Sequence, residues 1–517
     1  MSIHPVQPFF CGVRGIERSA KAAEDSRTPG RSRESLGCDP SARSWSAAVL
    51  CRVSPARETG SVFIIVLWIA FGLVSIALYF GHSMIAELRA SENRVSGLAS
   101  EQAIQGAQRY VNSVLANQIA NGSNGVMPAP EDSLSEAVPV GEAHFWLIGR
   151  DTNYTTGPGQ ITFGLVDESS KLNLNSATSN MLAALMTALP RANPDLASAI
   201  LDWRNTNGGG QFQTYYATRP QPYQTKAGPF ETVDELRLLY GADADSLTGD
   251  DVNQNGILDP NETDQNHNGQ MDPGVLEYVT VYSREPNIRS NGTPRISLSA
   301  VNATGPLQTL LQQALNSSRA DQIMQNLGFV NASGGQRGTT QTNSPVTATA
   351  SFASPLQFYR TSRMTGDEFS KVENDLTVTN GSYIEGRINI NTASPTVLQC
   401  LPGLDTNPDL AQTVVAYRQG NPDKLGSIAW IVDALGQNNA AVLDALQRVD
   451  CLTTRTYQMT ADIAALGPNG RGYRRIRYVF DTVDGTPRIV YCQDLTHLGW
   501  ALGKDTRETW LAAKTTR

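Results

Sequence analysis

The chain has 517 residues, is 40% hydrophobic, and sets 41 Lys and Arg against 49 Asp and Glu for a formal charge of -8. That length admits two or three domains with buried cores, and the acidic balance argues against a dominant phosphate-binding surface, which needs clustered Lys and Arg. Five scattered histidines supply no paired zinc spacing, and neither a nucleophile elbow nor a phosphate loop occurs, so the motifs of common enzymes are missing.

Residues 1–60 are rich in Arg and Ser, lack a periodic apolar pattern, and read as a leader without a fold or as an over-called start. The run from Ser61 to Phe80 is almost uninterruptedly apolar and about long enough to cross a bilayer core as a helix. Arg43, Arg52 and Arg57 ahead of it favour a cytoplasmic N-terminus and an exported bulk. No small-x-small cleavage site follows Phe80. Gly60 just before the run resembles the site cut by prepilin peptidase, which would leave Ser61 as the mature N-terminus; an uncleaved single-pass anchor can also carry Gly there. Beyond the run there is no Pro as far as Ile119, and Leu88, Val95, Leu98, Ala107, Val111 and Val114 recur near helical spacing among charges. The membrane helix is therefore expected to continue into an amphipathic one, a rod of roughly 90 Å at about 1.5 Å per residue. Its shape resembles a pilin-like subunit, while a juxtamembrane coiled coil is the alternative.

A segment rich in Asn, Gly, Pro and Ser at 121–140 separates this helix from two strand-like runs, Ala143–Gly149 and Ile161–Val166. The chain then repeats itself. Lys171-Leu-Asn-Leu-Asn-Ser-Ala177, with Leu189-Pro190, Pro194-Asp-Leu-Ala197 and Trp203-Arg204, parallels Arg387-Ile-Asn-Ile-Asn-Thr-Ala393, with Leu401-Pro402, Pro408-Asp-Leu-Ala411 and Tyr417-Arg418. Each copy ends in an apolar helical run, Phe230–Tyr240 and Ile428–Leu435, so two related helical bundles are predicted, with Ser176 and Thr392 as helix caps. Between the copies, Tyr278–Tyr282 reads as a strand and 331–355 as a low-complexity loop. After Cys451, the runs Thr456–Ile463, Tyr473–Phe480 and Pro487–Gln493, joined by Gly-containing turns, predict an antiparallel meander.

The sharpest chemical signal is the twelve-residue stretch Asp251 to Glu262. A calcium loop supplies hard oxygens from positions 1, 3, 5, 7, 9 and 12 and turns on a Gly at position 6. Asp251, Asn253, Asn255, the Ile257 carbonyl, Asp259 and Glu262 fill those ligand positions, with Gly256 at the turn. A second half-loop follows in Asp264, Asn266, Asn268, Gly269, Gln270 and Asp272, but Val275 holds its twelfth place and the last oxygens are expected from Glu277 or Glu262. The plain alternative is an acidic, solvated Asn- and Gly-rich loop.

Ile390–Leu404, containing Leu401-Pro402-Gly403, resembles a helix-hairpin-helix module, whose hairpin N–H groups bind a DNA phosphate. Here Asp405 stands where a second Gly is usual, placing a carboxylate at the phosphate position, so a packed scaffold is the better expectation. In an oxidising compartment one disulfide is expected among Cys400, Cys451 and Cys492, its pairing left open.

Taken together, Gly60, the long helix, the doubled Asn-x-Asn motif, Ala199-Ile-Leu-Asp-Trp203, Tyr215-Tyr216, Pro229–Leu236 and the terminal strands resemble the K-type minor pseudopilin of type II secretion systems. The resemblance implies an α+β, pilin-like fold, a long N-terminal helix plus antiparallel sheet, with a large inserted helical domain holding two SAM-like or helix-hairpin-helix-like bundles. Its expected segments are a leader at 1–60, membrane helix at 61–81, periplasmic helix at 82–120, strands at 141–167, first bundle at 168–277, a connecting region at 278–383, second bundle at 384–450 and terminal sheet at 451–517. It also implies two structural calcium ions, cleavage at Gly60 and Ser61 with methylation, an inner-membrane anchor, I- and J-type minor pseudopilins with the wider secretion machinery as partners, no enzymatic activity and no nucleic acid. Most pilin-like subunits carry Glu at the fifth mature position; Ile65 here is what the K type shows and fits a place at the tip. An exported DNA-binding pilus component and a calcium-bearing envelope anchor are the competing readings.

Overall fold

The computed structural model describes residues 59–129, 133–153, 159–208, 210–299, 301, 305–329 and 350–515. The leader at 1–58 and residues 331–349 of the low-complexity stretch lie outside them. The chain forms two compact units, one ending at Ser91 and the other comprising Glu92–Arg517. The first unit is described through the N-terminal part of helix α1 (Thr59–Ala120), which includes the Gly60–Ser61 junction. Its most apolar window has a mean hydropathy of 2.7 and is wholly exposed, long and apolar enough to cross a membrane.

In the second unit α1 continues from Glu92 and is followed by β1 (Val138–Val140), β2 (Ala143–Ile148) and β3 (Val166–Asp167). The first bundle holds β4 (Leu172–Asn173), α2 (Ser179–Ala188), α3 (Asp195–Arg204), α4 (Gln213–Ala217) and α5 (Ala244–Thr248); after the loops at 249–274 come α6 (Val275–Tyr278) and β5 (Val279–Thr280). A middle segment carries β6 (Arg284–Pro286), β7 (Ile296–Ser297), α7 (Pro306–Ala314), α8 (Ser317–Asn326), α9 (Pro355–Ser362), α10 (Gly366–Ser370), β8 (Leu376–Thr377) and β9 (Tyr383–Glu385). The second bundle holds β10 (Ile388–Asn389), α11 (Pro395–Leu398), α12 (Asp409–Gly420), α13 (Trp430–Leu435), α14 (Ala440–Leu446) and β11 (Leu452–Thr453). The chain closes with β12 (Gln458–Leu466), β13 (Arg474–Asp481), β14 (Arg488–Asp494) and a helix beyond the predicted meander, α15 (Gly503–Thr515).

The main sheet runs β1-β2-β12-β13-β14, with β3 also on β12. Ile463 of β12 lies opposite Leu147 of β2 on one side and Ile476 of β13 on the other, so the two ends of the unit share one sheet and residues 172–453 are an insertion between its strands. All nine residues of β12 are buried, because both faces of the sheet are covered. On one face Ala103, Ile104, Ala107, Val111 and Leu115 of α1 pack against Phe145, Leu147, Met459, Ala461, Ile463 and Phe480. Each such buried Ile, Val or Leu contributes about 1.5–3 kcal/mol.

The buried stripe of α1 differs from the predicted one at its start: Ala107 and Val111 are buried, whereas Val95 and Leu98 are exposed and Ser96 and Ser100 are buried in their place. The cause is the turn 467–472, which lies on the helix backbone; a Cβ on Gly467 or Gly472 would meet Ser96 main-chain atoms at 2.4 and 2.5 Å, so only small residues fit on either side. The expected strand at Ile161–Val166 shrinks to a bridge from Phe163 to Ile148 plus β3. The expected helix at Phe230–Tyr240 is a 3-10 turn at Val233–Leu238.

The sequence repeat is a repeat of contacts. The first Asn of each copy accepts from the N–H of the second, Asn173 from Asn175 at 2.9 Å and Asn389 from Asn391 at 3.0 Å. Each copy lies parallel to a second short strand, β4 on β5 and β10 on β11. One arginine then holds each turn: Arg204 donates to the Leu174 and Ala177 carbonyls, and Arg418 to those of Ile390 and Ala393. The helix caps sit two residues later than predicted. Thr178 accepts from Met181 N and Ser394 from Val397 N, since Ala177 and Ala393 are still bonded back to Asn173 and Asn389 and the helices start only after that turn.

The predicted disulfide is not formed among the described residues. Cys400 and Cys451 are free thiols in the core of the insertion, whereas Cys492 stands on β14 against the α1 face of the sheet. Burial pushes the Cys400 and Cys451 thiols up to about 12, which keeps them protonated and unreactive.

Asp167, at the end of β3, ties these parts together. Its carboxylate accepts from Ser169 N at 2.7 Å, Asn389 Nδ2 at 2.7 Å, Thr392 Oγ1 at 2.6 Å and the Thr456 hydroxyl ahead of β12. Burial raises its pKa to about 6, against the opposing pull of those donors. The folded chain thus binds this proton more tightly than the unfolded chain, so the contribution of Asp167 to stability falls as pH rises from about 4 to 6. Asp167→Ala strands several buried donors and is expected to cost about 2–4 kcal/mol. In urea titrations of the full chain in detergent the deficit should be larger at pH 4.5 than at pH 7.5; an equal or smaller loss at the lower pH would contradict the assignment.

Candidate calcium loops and their attachment to the sheet

The predicted loops form one excursion closed at its neck. Gly249 and Pro273 make an antiparallel bridge, with Asp250 N donating to Asp272 O at 2.9 Å and Gly274 N to Thr248 O at 3.0 Å. Within the first loop, Asp251 accepts from the N–H groups of Asn255 and Gly256, both at 2.9 Å, Asn253 Oδ1 from Asn255 N at 3.0 Å, and Asn255 Oδ1 from Ile257 N at 2.9 Å. Asn253 Nδ2 and Asn255 Nδ2 both reach Asp259 Oδ2, at 2.6 and 2.9 Å, so positions 3, 5 and 9 converge. Glu262 closes over the loop, one oxygen accepting from Asn253 N at 3.1 Å and the other from Asp259 N at 3.0 Å. Gly256 turns the chain at φ 84°, where a Cβ would also meet Arg150 Cδ at 2.9 Å.

The second loop repeats this pattern at matching offsets. Gly269 N donates to Asp264 at 2.8 Å, Asn268 N to Asn266 Oδ1 at 3.0 Å and Gln270 N to Asn268 Oδ1 at 2.6 Å, while the Asn266 and Asn268 amides converge on Asp272 Oδ2. Two differences separate it from the first. Asp251, Asn253, Asn255, Ile257 and Asp259 are buried, whereas Asn266, Asn268 and Gln270 are exposed. Its predicted closing oxygens are also engaged elsewhere: Glu277 is ion-paired to Arg150 at 2.6 Å, Glu262 spans the first loop, and Val275 is buried in the core of the insertion. Chain order placed Glu277 near the second loop, but α6 turns its side chain toward the sheet and Arg150.

Among the described residues no group of three or more His, Cys, Asp and Glu side chains is arranged to hold a metal. The donor set of the first loop is instead mixed, carboxylates with amide and main-chain oxygens, the set a hard cation takes. Two of its carboxylates are held above their ordinary range. Burial pushes Asp251 up to about 6, with Glu277 adding and Arg150 opposing, and pushes Glu262 up to about 7, with Asp251 and Asp259 adding. The second loop leaves Asp264 Oδ1 buried without a hydrogen-bond partner.

Three arginines fasten the outside of the first loop to the sheet. Arg475 of β13, fully buried, donates to Asn253 O, to Gln254 O at 2.6 Å and to both Asp462 oxygens at 2.8 and 2.7 Å. Arg477 binds Asp462 at 2.8 Å and Gln254 Oε1 at 3.1 Å, and Arg150 reaches Gln254 O at 2.9 Å. The paired guanidinium groups outweigh burial and hold Asp462 far below the usual carboxylate range. None of the three was visible as a site residue, because the sequence separates them from the loop by about as much as it separates unrelated segments.

The hairpin of the second bundle bears out the expected obstruction: Gly403 N donates to Asp405 Oδ1 at 2.9 Å, so the N–H that would face a phosphate is already taken by a carboxylate.

Comparison with known proteins bears on two of these segments. Residues 164–248, from just before β3 to the end of α5, match the family of type II secretion system (T2SS), protein K. Residues 385–424 match the helix-hairpin-helix motif. No curated protein matches the chain. Among solved structures it is similar to a chain of the GspK-GspI-GspJ complex from the enterotoxigenic Escherichia coli type 2 secretion system, at 11% identity over 79% of this chain and 99% of that one, with a TM-score of 0.38. That superposition is too loose to carry structural detail from one chain to the other. The likeness to the type II secretion system protein K family thus rests on residues 164–248 of this chain.

Proposed function

We propose that the chain is a minor pseudopilin at the tip of a type II secretion pseudopilus, where it initiates or caps assembly for protein export across the outer membrane. The observation that carries this reading is the protein K match over residues 164–248, which covers the first copy of the doubled bundle. The apolar run in α1 supplies a single-pass inner-membrane anchor with the bulk in the periplasm. Prepilin peptidase would cut between Gly60 and Ser61, Ser61 would be methylated, and a pilin-like helix and sheet would carry the insertion. I- and J-type minor pseudopilins and the other parts of the secretion machinery are the proposed partners, and the role is mechanical rather than enzymatic.

Calcium belongs to the same reading. Asp251, Asn253, Asn255, the Ile257 carbonyl, Asp259 and Glu262 would hold one ion, and Asp264, Asn266, Asn268, the Gln270 carbonyl and Asp272 a second, with solvent completing the exposed set. The ion supplies charge neutralisation that stiffens the loop; no reaction is assigned to it.

A DNA-binding pilus component is the second reading, because residues 385–424 match the helix-hairpin-helix motif. The Asp405 carboxylate on Gly403 N opposes it.

Coexpression with prepilin peptidase and candidate I- and J-type partners should give cleavage after Gly60 and a co-purifying complex; neither appearing would reject the tip reading. On duplex DNA the full chain in detergent should show no salt-dependent retention, whereas retention lost between low and high salt would favour the second reading. Calcium should raise the melting temperature of the full chain and EGTA should lower it, with Glu262→Gln weakening binding by about 10-fold or more, on the order of 1.4 kcal/mol. A melting curve indifferent to both would remove calcium from the account.

A further inference from the structure

The first loop touches one more part of the chain, the segment between β14 and α15. Asn253 Nδ2 donates to Trp500 O at 3.2 Å and Asn255 Nδ2 to Ala501 O at 3.3 Å. Ala501 and Leu502 are fully buried, packed with Trp146, Ile148, Ala464 and Leu466 on the sheet face opposite α1. Ile257, at position 7, closes the contact: its Cδ1 lies 3.4 Å from where a Cβ on Gly503 would stand. Residues 3, 5 and 7 of the loop therefore each meet the segment 500–503.

An Asn amide has one nitrogen and one oxygen, on opposite branches. The Asn253 and Asn255 nitrogens are shared between the Trp500 and Ala501 carbonyls and Asp259 Oδ2, while the amide oxygens accept from Asn255 N and Ile257 N, so the side chains at positions 3 and 5 are held by the segment and by the loop together. A cation that draws on the amide oxygens of positions 3 and 5 acts on the same two side chains that the segment 500–503 holds. From this geometry we infer that the first loop is the receptor for the chain's own C-terminal segment, so that cation binding and the seating of Trp500–Leu502 are one coupled equilibrium. The inference rests on the calcium reading of the loop. Coupling of this kind is reciprocal: the factor by which the seated segment raises cation affinity is the factor by which the cation favours seating.

The test uses the full chain in detergent micelles, with CaCl2 or EGTA, read by amide hydrogen exchange and by calorimetric titration with calcium. Chelation should speed exchange at 500–503 by about 10-fold or more while β13 keeps its protection. The double variant Asn253→Asp and Asn255→Asp keeps an oxygen at both ligand positions but removes both amide donors; it should still bind calcium and lose the protection of 500–503. Removing residues 499–517 should weaken calcium binding by about the same factor as chelation speeds exchange. Calcium binding with unchanged protection at 500–503 would overturn the coupling alone, whereas no heat of binding at all would overturn the calcium reading and the coupling with it.

Discussion

The second unit depends on a single buried charge arrangement, the Arg475–Asp462 pair across β12 and β13. A guanidinium taken wholly out of water is tolerable only when its donors are satisfied in good geometry. Asp462 satisfies part of Arg475, and the Asn253 and Gln254 carbonyls satisfy the rest. Those carbonyls belong to a loop more than two hundred residues away, so the sheet is complete as a polar structure only when the insertion is seated on it. Arg477 and Arg150 reinforce the same joint at Gln254.

A second joint forms at Asp167 and Glu168. Asp167 binds the second bundle through Asn389 and Thr392, while Glu168 binds Thr280 of the first bundle's β5 and Thr460 of β12. Two adjacent residues just ahead of an insertion of nearly three hundred residues therefore anchor both of its bundles to the central strand. Because buried polar groups must all be paired, such joints set one relative placement of bundles and sheet rather than a range. That fixed placement suits a subunit whose proposed work is to hold a position in a fibre.

Much of this was legible in the chain. The apolar run and the pauses between strands follow from periodicity, and the repeat follows from the recurrence of Asn-x-Asn with a distant Arg, both copies of which fold alike down to the carbonyls that Arg204 and Arg418 bind. The first candidate loop was legible because its oxygen-bearing residues lie within twelve positions, where spacing alone brings them together. The errors share a cause: the buried stripe on α1 was mistaken at Val95 and Leu98 because a Gly-rich turn, not an apolar strand, covers the helix there, and Glu277 was assigned to a nearby loop although Arg150 holds it elsewhere.

Sequence by itself determined the local matters: an apolar helix of membrane length, two related bundles, two loops with calcium spacing, and a terminal meander. Each of these depends on contacts between residues close along the chain, so pattern and spacing suffice. Tertiary structure alone decided that β2 and β12 share a sheet across the whole insertion, that one loop is buried while its neighbour is exposed, that three cysteines stay apart, and that Trp500 and Ala501 meet Asn253 and Asn255. These outcomes depend on which buried donors find which acceptors after the chain has collapsed. No spacing encodes that choice, because the partners lie hundreds of residues apart and are selected together by the cost of leaving buried polar groups unpaired.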